Sequence, residues 1–139
     1  VGAARTIGAT ARDRRLVGAL LVLQAVISAG FAVFPTDPDG IPMTAIGAVH
    51  LTVFYAYAMV TPLQLALFGV VFGRDPRWQR ARAPTLAAAT AMVASGLLVP
   101  AALYGPLLPW LGLLERVYVA IPMAWQVVVA GRAVRLTRA

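Results

Sequence analysis

Cysteine and lysine are absent from this 139-residue chain, and histidine occurs once, at His50. Without cysteine there is no disulfide, no thiolate metal site and no cysteine nucleophile. A single histidine excludes a three-histidine zinc centre within one chain, and a haem ligated by two histidines. No HExxH, Walker loop, GxSxG or CxxC motif is present. Neither a metal nor a cofactor is expected on these grounds. Charge is scarce as well. Charged residues are 12% of the chain, against roughly 25% in soluble domains.

What remains is apolar. Hydrophobic residues make up 60% of the chain and the mean hydropathy is +0.80, as for a protein dissolved in lipid. Four segments, about 16–34, 46–72, 85–103 and 107–131, are long enough to cross a hydrocarbon core of about 30 Å, which needs about 20 helical residues. Inside lipid each backbone polar group needs a partner within its own segment, which requires helices. No segment alternates as a barrel strand would. The expected fold is therefore all-α: one domain, an integral membrane bundle of four transmembrane helices. The first residues, VGAARTIGATAR, lack the apolar stretch of a signal peptide. The chain opens on Val1 and not on methionine, which leaves room for an upstream segment.

The basic residues predict orientation. All twelve are arginine. Arg5, Arg12, Arg14 and Arg15 precede the first span, Arg74, Arg77, Arg80 and Arg82 fill the basic loop 74–84, and Arg132, Arg135 and Arg138 follow the fourth. Loops 35–45 and 104–106 hold none. The positive-inside rule then places both termini and the basic loop in the cytoplasm. With the arginine- and alanine-rich composition, this points to a multi-pass protein of a bacterial inner membrane. The net charge of +7 is a topology signal, so membrane lipids and not nucleic acid are the expected partners. Trp78, within RDPRWQRARAP, is expected to lie on anionic head groups, where each arginine contributes about 1 kcal/mol.

The few other ionisable groups gather toward the opposite leaflet. FPTDPDGIPMTAIGAVH, residues 34–50, carries Pro35, Asp37, Asp39 and His50, and Glu115 and Arg116 fall near the outer part of the fourth span. At 100° per residue, His50, Phe54, Tyr57, Thr61 and Gln64 share one stripe of the second span, Gln24 and Ser28 one of the first, and Glu115, Tyr118, Pro122 and Gln126 one of the fourth. Intramembrane polar groups face the bundle interior, so these stripes are expected to face one another, with His50 and Glu115 at an outer mouth. A plainer reading makes PTDPDG a turn, His50 an interfacial cap, and Glu115 and Arg116 an ion-pair lock between helices. Pro62, Pro100 and Pro122 are expected to kink or locally unwind their helices. GVVFG (Gly69 to Gly73), and Ala87, Ala91 and Ser95, have the small-xxx-small spacing of close helix packing.

The FPTDP ending of the first span, the GAVH opening of the next, and the closing LGLLERVYVAIPMAWQVVVAGRAVRL resemble the bacterial membrane family known as domain of unknown function 998, over roughly residues 15 to 136. That resemblance implies a polytopic helical protein, usually of about six spans, of which this chain matches the last four, either with two further spans upstream or as a shortened member. It marks Pro35, Asp37, His50, Glu115 and Arg116 as motif positions and implies no substrate or cofactor. The leading expectation for function is a membrane protein that binds or moves a small amphipathic or lipidic ligand at a polar mouth of Asp37, His50, Glu115, Arg116 and Tyr57. Two alternatives stand beside it. One is an intramembrane hydrolase or transferase using His50 with Asp37 and Glu115. The other is a structural subunit of a membrane complex, and a homo-oligomer or other membrane subunit as partner fits all three.

Overall fold

The computed structural model describes residues 7, 10–38, 42–103, 105–106 and 108–138; Asp39 and the side chain of Pro100 lie outside what it describes. These residues form four long helices and no strand: α1 (Ala11–Val33), α2 (Ala45–Arg74), α3 (Gln79–Leu103) and α4 (Leu111–Arg138), the last entered through a 3₁₀ turn at Leu108–Trp110. All four are long and apolar enough to cross a membrane, which makes the chain a multi-pass helical bundle. Its basic end holds the start of α1, the α2–α3 turn and the end of α4; the far end holds the other two connections.

The first three helices begin earlier than their apolar runs, where polar residues organise their starts, while α4 begins later, at Leu111 and not at 107. Thr10 precedes α1, and its Oγ1 accepts from the Asp13 amide at 3.1 Å and donates to Asp13 Oδ2 at 2.9 Å. This reciprocal pairing satisfies an otherwise orphan amide and starts the helix at Ala11, not Leu16. The basic loop expected at 74–84 contracts to a turn. Asp75 Oδ1 accepts from Arg77 N and Nε at 3.0 and 3.1 Å, and its Oδ2 from Arg77 Nη2 at 2.8 Å. The Trp78 amide donates to Asp75 O at 2.8 Å, and α3 starts at once. Arg80 and Arg82 are exposed on its first turns, where long side chains can carry their charge to water.

In the bundle α1 packs on α2, α2 on α3 and α3 on α4. α2 is the most buried helix and α1 the least. A Cβ on Gly69 would stand 2.5 Å from Leu86 Cδ2, and one on Gly73 3.0 Å from Arg82 Cδ, so the GVVFG step is where α2 and α3 approach closely. The matching step on α3 serves differently. Ala87 and Ala91 are exposed, and buried Ser95 donates to its own helix at Ala91 O, 2.8 Å away.

Trp78 is fully buried instead of lying among head groups. It stacks on Phe72, centroids 4.9 Å apart and planes 14° apart, beneath the Arg132 guanidinium at 5.7 Å. Arg132 donates from Nε (3.1 Å) and from Nη2 to Arg77 O. The tryptophan thus closes the basic end of the core, and a cation–π contact with the end of α4 holds it there.

Candidate functional site: a cleft between the first and last helices

At the far end, Asp37 and His50 are engaged by the loop itself. Asp37 Oδ2 accepts from Thr44 N at 2.8 Å and Oδ1 from Thr44 Oγ1 at 2.7 Å. Thr44 Oγ1 in turn caps α2 by accepting from Gly47 N at 3.1 Å. The carboxylate lies so close over this helix start that a Cβ on Gly47 would be 1.9 Å from Asp37 Oδ2. Hydrogen bonds from the Thr44 hydroxyl, then from its amide, hold the Asp37 carboxyl below its ordinary pKa against a smaller opposing effect of desolvation. His50 Nδ1 lies 2.6 Å from Phe34 O. Because a carbonyl only accepts, Nδ1 carries the proton and donates, tying α2 to the C-terminal cap of α1. Pro35 is exposed in the same loop.

The stripe on α2 leads inward. Tyr57 is buried, its ring edge-on to Phe31 at 5.5 Å and to Tyr118 at 5.9 Å. Below it, Pro62 lacks the amide that would serve the Ala58 carbonyl one turn earlier. Tyr118 of α4 supplies the replacement, its hydroxyl donating to Ala58 O at 3.0 Å. A side chain from a neighbouring helix thus satisfies the carbonyl that proline frees.

Glu115 does not join this arrangement. Tyr118 and Pro122 are buried, but Glu115 is exposed, and it makes no hydrogen bond or ion pair among the described residues. Arg116 is exposed too and only reaches back to Gly112 O at 3.4 Å. Among the described residues, then, Glu115 makes no contact of this kind with His50, and neither Glu115 nor Arg116 forms the expected ion-pair lock to another helix. Among the described residues no three of His, Cys, Asp and Glu come together. An ion pair links helices at the basic end instead, where Arg74 Nη1 of α2 meets Asp13 Oδ1 of α1 at 3.0 Å. Asp13 is only 2% exposed, so the pair is anchored on one side by a buried charge.

The polar stripes do meet, at mid-depth. Gln64 Nε2 donates to Leu20 O at 2.8 Å, and Thr61 Oγ1 makes a long contact of 3.4 Å to Gln24 Oε1. Between α1 and α4 a cleft of about 340 Å³ opens, with Gln24, Ala25 and Ser28 on one wall, Gln126 and Val129 on the other, and Phe68 and Trp125 as its aromatic floor. Ile7 and Ala133 close its basic end. Gln24 and Gln126 sit near the middles of their helices. Apart from the Thr61 contact, Gln24, Ser28 and Gln126 have no side-chain hydrogen bond among the described residues. Trp125 is fixed by its indole N–H, which donates to Thr85 Oγ1 at 2.9 Å.

Helix faces marked the glutamines but not that α1 and α4 would flank an opening, which depends on which helices are neighbours. The Asp13–Arg74 pair went unread as well, although T-x-x-D at Thr10–Asp13 is a visible capping signal.

Against known proteins, the family described as Protein of unknown function (DUF998) matches residues 1–132. Searches of curated proteins and of solved structures return no match. The chain belongs to the DUF998 family.

Proposed function

We propose that this DUF998 protein binds a small amphipathic or lipidic molecule taken laterally from the bilayer into the cleft between α1 and α4. The observation that carries the reading is the set of neutral polar side chains, Gln24, Ser28 and Gln126, without full hydrogen bonding on the walls of an otherwise apolar cleft. In hydrocarbon an unpaired amide or hydroxyl is costly, so such groups call for an occupant that pairs with them. The volume falls at the lower end of the usual range for ligand pockets, roughly 300–1,000 Å³. The arrangement of the arginines supports a setting in a bacterial inner membrane with the basic end in the cytoplasm. Glu115 and Arg116, exposed toward the far end, then lie near the outer head groups, while Asp37 and His50 hold the loop that frames that side.

Native mass spectrometry of the purified protein tests this. Wild type is expected to retain a stoichiometric small-molecule adduct. Ala130→Leu, which fills the cleft wall, loses it, while Val93→Leu on the exposed face of α3 keeps it. A clean apo mass for wild type, or an adduct that survives Ala130→Leu in a folded protein, overturns the reading.

A further inference from the structure

Resting on that cleft, the geometry points to the chemical class of its occupant: an uncharged lipid whose flat head bears carbonyl or hydroxyl groups, as in a prenylated quinone or phenol. Depth is the first argument. A glycerophospholipid keeps its esters and phosphate at the interface and sends only hydrocarbon to mid-bilayer, where it has nothing to offer an amide. Gln24 and Gln126 lie near the middles of α1 and α4, so a molecule that satisfies both must carry its polar atoms deep into the hydrocarbon region.

Charge is the second argument. The residues lining the cleft include no arginine, aspartate, glutamate or histidine. An ionised head there would have no counter-ion, and charge at the bilayer centre costs about 2.5–3.5 kcal/mol even on insertion scales. The side chains present suit neutral partners of both kinds. A glutamine NH₂ donates to a carbonyl, while a glutamine carbonyl or the Ser28 hydroxyl accepts from an alcohol or phenol.

Shape is the third. Trp125 and Phe68 pack edge to face at 5.0 Å on the cleft floor, and the Trp125 N–H is already committed to Thr85. What Trp125 has left to present is ring surface, which favours a flat π-system over a branched chain. The cleft holds a head group and leaves an apolar tail to run out between α1 and α4. The inference concerns binding and includes no redox step.

The test uses the full chain in nanodiscs and three probes with the same decyl chain: a benzoquinone, a phenyl-terminated hydrocarbon without oxygen, and a carboxylic acid. Adduct formation by native mass spectrometry and the ligand-induced Tm shift are read together. The quinone is expected to bind at least about tenfold tighter than either other probe, equivalent to about 1.4 kcal/mol. Gln24→Leu with Gln126→Leu lowers it to the level of the phenyl hydrocarbon while Tm without ligand stays near that of wild type. Equal binding of quinone and hydrocarbon, both lost in Ala130→Leu, overturns the class while leaving the cleft reading intact; so does tightest binding of the acid. Failure of every probe to bind overturns the cleft reading itself. Disulfide cross-linking of two copies through Ala130→Cys does the same, by making the occupant a second copy of the chain.

Discussion

Asp37 shows how little of a residue's role its type reveals. An aspartate between prolines reads equally as a turn former and as part of a site. What decides is that both its oxygens are taken by Thr44 and that only a glycine at 47 leaves room for them. A carboxylate over a helix start also complements the partial positive charge there. The consequence is a pH dependence of defined sign. The Asp37 pKa is depressed in the folded protein, so its contribution to stability is present above the unfolded carboxylate range, near 4, and is lost as pH falls through the lower folded value. Asp37→Asn is therefore expected to lower Tm at pH 7, with the gap to wild type narrowing below about pH 4. Thermal melts in detergent across pH 3 to 7 check this, and a gap that stays constant would show that the charge is not what holds the loop. His50 belongs to the same scale: its spacing from the FPTDP turn was legible, but its use as a donor to Phe34 O required the fold to bring residues 34 and 50 together.

Between elements, the joint of α2 and α4 turns on one carbonyl. Pro62, inside the continuous α2, was readable as a gap in the backbone ladder, and the carbonyl it deprives, Ala58, follows from counting back one turn. That Tyr118 would reach it was not readable, because a helix face names a direction and not a neighbour. Interhelical hydrogen bonds in membranes average about 0.6 kcal/mol and reach about 1.7. A carbonyl left without any partner adds to the loss. Tyr118→Phe should therefore cost about 1–2 kcal/mol in unfolding free energy, near the upper part of that range. In a Pro62→Ala background the new amide at position 62 can serve Ala58 O, so the same change should cost clearly less. The double-mutant cycle, followed by equilibrium unfolding in mixed micelles, isolates this coupling. Equal costs in both backgrounds would mean that the Tyr118 hydroxyl is not compensating for the proline. The pairing of Glu115 with His50 fails at this same scale. Periodicity puts Glu115 on the same face of α4 as buried Tyr118 and Pro122, but it sits near the start of the helix and is exposed there.

For the molecule as a whole, apolar run length and arginine placement carry most of what the sequence discloses. Four runs become four helices, because a membrane-length apolar segment has no other way to satisfy its backbone. Their starts shift because Thr10 and Asp75 organise the polar ends, a local effect that hydropathy does not see. The opening between α1 and α4 stayed hidden, since it follows from the packing order and not from any one segment. Orientation depends on neither. Arg12, Arg14, Arg15, Arg80, Arg82, Arg135 and Arg138 are all exposed at one end of the bundle, while Thr36 and Met43, in the α1–α2 connection, lie at the other. Inserting with the basic end outward would require carrying that whole cluster across the bilayer, which the positive-inside bias disfavours. The absence of native cysteine makes the test clean. In intact bacterial cells a membrane-impermeant maleimide is expected to label Thr36→Cys but not Gln79→Cys or Thr137→Cys, both of which should label only after permeabilisation. The reverse pattern would place the basic end outside and show that the arginines hold some role other than orientation. Labelling of all three in intact cells would mean that the chain inserts both ways, so that the cleft would face both leaflets and its ligand would have no fixed side of entry.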